Sequence, residues 1–201
     1  MGESRHRRAS ALLVAVASAA LSALATGPAA AAHRTHRHRV RSHCTGARTP
    51  IARATRPALR SAVVCLVNRE RTERGLPRLR TNHDLNHSAQ HWTNEMVRRR
   101  IFTHGHDFAA RITRAGFHWS RAGENIAAGF PTPASVVAAW MASTGHCENI
   151  FNPAYRSIGT GVSGGAALIH AHGTWTQDFA LRVGRRPASH DHRPAAGCPY
   201  R

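Results

Sequence analysis

Lysine is absent from these 201 residues, so all 28 basic side chains are arginine. Acids are scarce as well: ten Asp and Glu leave a net charge of +18 with histidine neutral. Abundant arginine and alanine without lysine fit a GC-rich coding sequence, so codon usage accounts for part of this basicity. The physical consequence is unchanged. Such a surface is drawn to anionic polymers: nucleic acid, acidic lipid head groups or cell-wall polymers. No Cys-x-x-Cys pair occurs among the four cysteines, which argues against a structural zinc knot. No Walker or dinucleotide pattern surrounds Gly123, Gly145, Gly159 or Gly161, so these read as backbone permissions and not as phosphate cradles. No internal repeat is visible, and beyond the N-terminal segment no apolar run is long enough for a membrane span.

Residues 1–32 read as a secretion signal. Arg5, Arg7 and Arg8 make a positive start, an apolar stretch runs from Ala9 to Ala25, and Ala29 to Ala32 offers an A-x-A site with cleavage before His33. The alternative is an uncleaved anchor, but the stretch is alanine-rich and short against the ~20 apolar residues of a span. No cysteine near the cleavage point invites lipid attachment. Export places Cys44, Cys65, Cys147 and Cys198 in an oxidising compartment, where an even set favours two disulfides. Three pairings are possible. Cys44–Cys65 with Cys147–Cys198 is favoured, because each bond would staple a terminal extension to the core.

Residues 33–57 form a basic arm in which His33, His36, His38 and His43 alternate with arginines; its composition predicts a solvated, largely disordered segment. Residues 183–201 make a similar tail. Between them, 58–182 carry folding signals. Pro57 suits a first helical turn, and Leu59, Val63, Leu66 and Val67 recur at helical spacing up to Gly75. A second helix is predicted from Asp84 to Arg99, capped by Thr81 or Asn82, with the stripe Leu85, Ala89, Trp92 and Met96. A third starts at the cap Asp107 and stops at Gly116, and a fourth opens on Thr132-Pro133. Residues 157–163 predict a strand, Gly164-Gly165 a turn, 166–170 a returning strand, and 174–179 the best alternating strand of the chain. Helices first and strands last predict an α+β domain with a small antiparallel sheet.

Three ordered words carry the chemistry: Phe102-Thr103-His104, Gly123-Glu124-Asn125-Ile126, and Trp140-x-x-Ser143-x-Gly145-His146-x-x-Asn149-Ile150. With Cys65-Leu66-Val67-Asn68-x-Glu70-Arg71, Ile158-Gly159-x-Gly161-Val162 and Trp175-x-Gln177-x-Phe179, their order over about residues 58–182 resembles the bacterial branch of the CAP superfamily, the SCP-like or cysteine-rich secretory protein domains. The resemblance implies a three-layer α-β-α sandwich with a central cleft lined by His104, Glu124 and His146. It also implies extracellular interaction roles, with lipid, sterol or divalent-metal binding among relatives. Many eukaryotic relatives carry a second glutamate where this chain has Ser143, a departure that bacterial relatives share.

The residues themselves leave three readings open. His104, Glu124 and His146 could bind a divalent ion such as zinc and leave a fourth position free. They could instead staple loops through hydrogen bonds. Catalysis would cast Ser143 as nucleophile, with His146 or His104 as base and Glu124 as orienter, yet nothing around Ser143 resembles a nucleophile elbow. Asn125 and Asn149 read as caps or turn formers, and Trp140 and Trp175 as core anchors. His83, His87 and His91 share a helix face that reads as solvated, with adventitious metal capture as the alternative. The leading expectation is a secreted binding protein whose cleft takes a metal, a lipid or another small ligand; the alternative is a peptidase-like hydrolase using the same cleft. Envelope retention through the basic arms is a further expectation, and no specific nucleic-acid partner is expected.

Overall fold

The computed structural model describes residues 43–187 and 197–199. The predicted signal segment, the first part of the basic arm and most of the tail lie outside these residues.

Each predicted helix is present and ends where its capping chemistry places it. Helix α1 (Arg56–Glu73) is capped by Thr55, whose side chain accepts from the Ala58 amide, and Gly75 closes it at φ 72°. It buries Leu59, Val63, Leu66 and Val67. A two-residue strand β1 (Arg80–Thr81) leads into α2 (His83–Arg99). Asn82, not Thr81, caps α2, accepting from the Leu85 amide, and Leu85, Ala89, Trp92 and Met96 all face the core. Helix α3 (Phe108–Arg114) starts on the Asp107 carboxylate, which accepts from the Ala110 amide at 2.8 Å. After strand β2 (Trp119–Ala128), helix α4 (Pro133–Met141) opens on a reciprocal Thr132–Ser135 capping box. Helix α5 (Thr144–Phe151) and the strands β3 (Ser157–Leu168) and β4 (Ala171–Arg182) complete the domain.

The sheet order is β1-β3-β4-β2, antiparallel except for the short parallel β1–β3 pair. One face packs on α2 and α3 through Leu85, Ile112, Phe117 and Ala180, with Trp92, Met96 and Ile126 alongside. The other face carries Ile158, Val162, Trp175 and Phe179 against α1, α4 and α5. This is the expected α-β-α layering.

Helix α2 lies so close to β3 that a Cβ at Gly159 or Gly161 would fall onto the helix backbone at Leu85 or Ala89. Glycine at both positions is therefore the condition for this layer spacing.

The structure corrects three expectations. Gly164-Gly165 is not a turn: β3 runs through it with register shifts between Ser163 and Ala166, and the chain reverses at Ile169-His170, where His170 has φ 63°. Strand β2 precedes α4, so the strands do not all come last. Residues 43–55 do not read as a solvated arm here. Ile51 packs on the core and donates its amide to the Pro131 carbonyl, while Ala47 accepts from Ala134.

The favoured disulfide pairing is the one formed, Cys44–Cys65 and Cys147–Cys198. Their sequence separations of 21 and 51 residues correspond to about 3 and about 4 kcal/mol of restricted unfolded-chain entropy.

Candidate functional site

The antiparallel register sets Glu124 of β2 directly opposite Asp178 of β4, on the face that meets α2 and α3. The loop between those helices brings in His104, and α3 brings in Arg111. Three features fix the loop. Trp92 Nε1 donates to the Thr103 carbonyl at 3.0 Å, Gly105 takes φ 71°, and Arg111 Nη1 donates to the His104 carbonyl at 2.9 Å. A Cβ at Gly105 would press on the Trp92 ring and on Arg111 Nη1, so loop, indole and guanidinium are mutually fitted. The guanidinium itself lies over the Trp92 ring, 4.0 Å from its centroid.

Both oxygens of Glu124 are taken. Oε1 meets His104 Nδ1 at 2.8 Å, and Oε2 accepts from Arg111 Nη2. The glutamate side chain is 1 % exposed, whereas the His104 ring is 48 % exposed. An ionised carboxylate can only accept, which assigns the proton of this bond to His104 Nδ1 and leaves a lone pair on Nε2 of the neutral ring. Glu124 is thus buried between a cation and an imidazole, and of the two side chains in the His104–Glu124 pair His104 is the solvent-facing one.

His146 stands on α5, held to β2 from the opposite face of the sheet. Asn125 Nδ2 donates to the His146 carbonyl and to Gln177 Oε1, both at 3.2 Å. Asn149 Nδ2 donates to the Glu124 carbonyl at 3.2 Å and to Asn125 Oδ1 at 2.9 Å. Asn125 and Asn149 are thus staples between elements, not the caps or turn formers their sequence surroundings suggest. Gly123 makes room for Asn149 and for Tyr155, since a Cβ there would collide with the Tyr155 hydroxyl and crowd Asn149. Trp140 and Trp175 are core anchors as expected, each also donating its indole N–H to a backbone carbonyl, Ile126 and Phe130 respectively. Burial, and secondarily the neighbouring His104, pull the His146 imidazole below its ordinary pKa.

Two participants were not anticipated, Arg111 and Asp178. Asp178 is fully buried. Burial first, and then the charge of Glu124 across the ladder, hold its carboxyl well above the usual carboxylate range. Ser88 and Glu124 are the side chains placed to hydrogen-bond Asp178, while Arg111 Nε is buried without a partner. A cavity of about 230 Å³ is lined by Ser88 and Arg111 together with His87, His91, Arg114 and Ala115.

This geometry does not match a three-donor metal site. Both Glu124 oxygens are committed, one of them to a cation, and among the described residues no group of three or more His, Cys, Asp or Glu side chains is disposed to hold an ion. Ser143 precedes the first turn of α5, makes no side-chain capping bond, and has no hydrogen bond to either imidazole. The His83, His87 and His91 face is exposed, as expected; His83 lies 3.6 Å from Asp84.

The comparisons agree with this architecture. The chain is 37 % identical over 127 residues to the uncharacterized protein YkwD of Bacillus subtilis (strain 168), a match covering 61 % of this chain and 47 % of that protein. The chain thus spans about half the length of this curated relative. In fold it is similar to an extracellular protein containing a SCP domain from Bacillus anthracis, with TM-score 0.56, 23 % identity, and coverage of 64 % of this chain and 44 % of that one. It is likewise similar to an outer surface protein of Borrelia burgdorferi, with TM-score 0.54, 20 % identity, and coverage of 60 % and 90 %. The model of the cysteine-rich secretory protein family, CAP, matches residues 64–179, more than half of the chain, and the protein belongs to that family.

Proposed function

We propose that this is an exported binding protein that captures a small polar ligand at the imidazole pair His104 and His146, without turning it over. The observation that carries the reading is the Glu124 carboxylate, buried, shared between Arg111 and His104, and so spent on orienting a half-exposed imidazole. A ligand hydroxyl or acid proton would meet His104 Nε2. The neutral tendency of His146 suits it to a second hydrogen bond, not to a fixed charge. Export is supported by the two disulfides and by the extracellular and outer-surface proteins that share the fold.

Native mass spectrometry of protein recovered from culture medium tests both parts. A bound small molecule, reduced in His104→Gln and His146→Gln, is the expected result, together with an N-terminus at His33. Equal adducts in all three proteins would remove the site from consideration.

One observation favours a second reading. The Glu124–His104 pair is the orienter-and-base half of a general-base arrangement, which could activate water without Ser143. Hydrolysis of a peptide or ester panel, abolished by His104→Ala, would support it. Activity that survives this change would come from elsewhere.

A further inference from the structure

A groove of about 580 Å³ lies at the end of the sheet where β1, the start of β3 and the end of β4 meet. Its wall is Pro77, Ser157 and six arginines: Arg78, Arg80, Arg156, Arg182, Arg185 and Arg186. It shares no residue with the His104 site.

Backbone ladders hold these arginines in place. Arg80 pairs with Ser157 in the parallel β1–β3 register, the Arg80 amide donates to the Arg156 carbonyl, and the Arg156 amide donates to the Ala180 carbonyl. The Arg185 amide donates to the Arg182 carbonyl, and the Arg182 guanidinium lies 4.3 Å from the Phe117 ring centroid. Counter-charge is almost missing. Among the described residues the only carboxylate within ion-pair distance of the six is Asp84, 3.8 Å from Arg182. Six like charges around one concavity repel each other, and that cost falls when an anion enters.

We infer that this groove binds a flexible polyanion carrying a phosphodiester in each repeat, of the polyol-phosphate kind. Arginine forks match phosphate oxygens bidentately, and several forks along one groove suit successive phosphates on one strand. The volume falls within the ~300–1,000 Å³ of small-ligand pockets, enough for a short length of a thin chain and too little for a duplex. Among the described residues no aromatic side chain lines the groove, so these residues offer none of the stacking platforms by which single-stranded nucleic acids are held. The ligand is therefore read by its phosphates alone.

The test measures binding of purified poly(glycerol phosphate) to the full chain over a range of sodium chloride concentrations. It compares Arg78→Gln/Arg185→Gln/Arg186→Gln with Arg99→Gln/Arg114→Gln/Arg121→Gln. Both variants remove three exposed arginines and leave the N-terminal arm intact, but only the first touches the groove. The groove variant should lose at least tenfold in affinity at about 100 mM salt. Its slope of log K against log salt should shrink by about 2, at roughly 0.7 for each phosphate left without its arginine. Arg185→Gln alone should shrink the slope by about 0.7. The control should stay within twofold of the parent. Equal losses in both triple variants would mean diffuse charge attraction and would overturn the proposal, as would an unchanged groove variant. Tighter binding of oligo-thymidylate or polyglutamate of equal charge would overturn the assignment of ligand class.

Discussion

Removing the guanidinium of Arg111 should be among the most damaging single changes in this domain. Arg111 is buried, donates to Glu124 Oε2 and to the His104 carbonyl, and lies over Trp92. In Arg111→Met the Glu124 carboxylate loses its guanidinium partner and keeps as neighbours His104 and the Asp178 carboxyl directly across the ladder. Breaking a buried pair from one side costs about 3–5 kcal/mol, because an uncompensated charge stays behind, and removing the cation from the indole face adds roughly 0.5–1. A loss of about 4 kcal/mol is a large share of the ~5–15 kcal/mol that stabilises a typical domain. Adding Glu124→Gln removes the stranded charge, so the double variant should be more stable than Arg111→Met, with a coupling energy of about 2–3 kcal/mol. Urea unfolding of the four proteins with disulfides intact gives the cycle. A cost below about 1 kcal/mol for Arg111→Met, or a coupling under ~0.5, would refute the reading of Glu124 as clamped by this cation.

Other consequences are equally open to measurement. Gly159→Ala would drive a methyl into the α2 backbone at Leu85 and should cost about 3 kcal/mol or more, whereas Gly145→Ala, in α5 with nothing within 4 Å, should gain about 0.5–1 kcal/mol in the same unfolding assay. The raised Asp178 carboxyl contributes stability that is fully present below its unfolded value near 3.8 and is lost as pH rises through its higher folded value. Asp178→Asn should therefore gain on the parent as pH rises above 4, by at most ~1.4 kcal/mol per pH unit, and parallel pH–stability curves would sink this. Cys147→Ser/Cys198→Ser should lose about 4 kcal/mol and Cys44→Ser/Cys65→Ser about 3, read from denaturation midpoints.

The sequence was most legible where signals are local. Caps at Asp107 and Thr132, the stripe from Leu85 to Met96, and Gly75 and Gly116 placed four helices within a residue or two. Strand β2 was hidden because helices cover both faces of the sheet: Gly123 to Ala127 are all buried, so polar and apolar residues do not alternate. Helix α5 was hidden because Ser143 makes no capping bond and the Thr144-Gly145 start has little helix propensity. Gly164-Gly165 imitated a turn, although only the pairing of β3 with β4 shows that the chain continues.

At the site, His104 and Glu124 were found by motif order, and the structure joins them. Arg111 was one arginine among 28, with nothing local to mark it. Asp178 did leave a mark: in a chain with only ten acids it sits inside the strongest strand pattern, where a charge demands a partner or a proton.

The most direct test of the central claim is the tautomer of His104, read from ring nitrogen shifts in ¹⁵N-histidine-labelled protein at a pH where the ring is neutral. The expected result is a proton on Nδ1 that shifts toward the ordinary mixture of tautomers in Glu124→Gln, with Nε2 of the parent perturbed by ligand or substrate. A proton on Nε2 in the parent, or a tautomer indifferent to Glu124, would contradict the assignment of Glu124 as the orienter of an exposed imidazole.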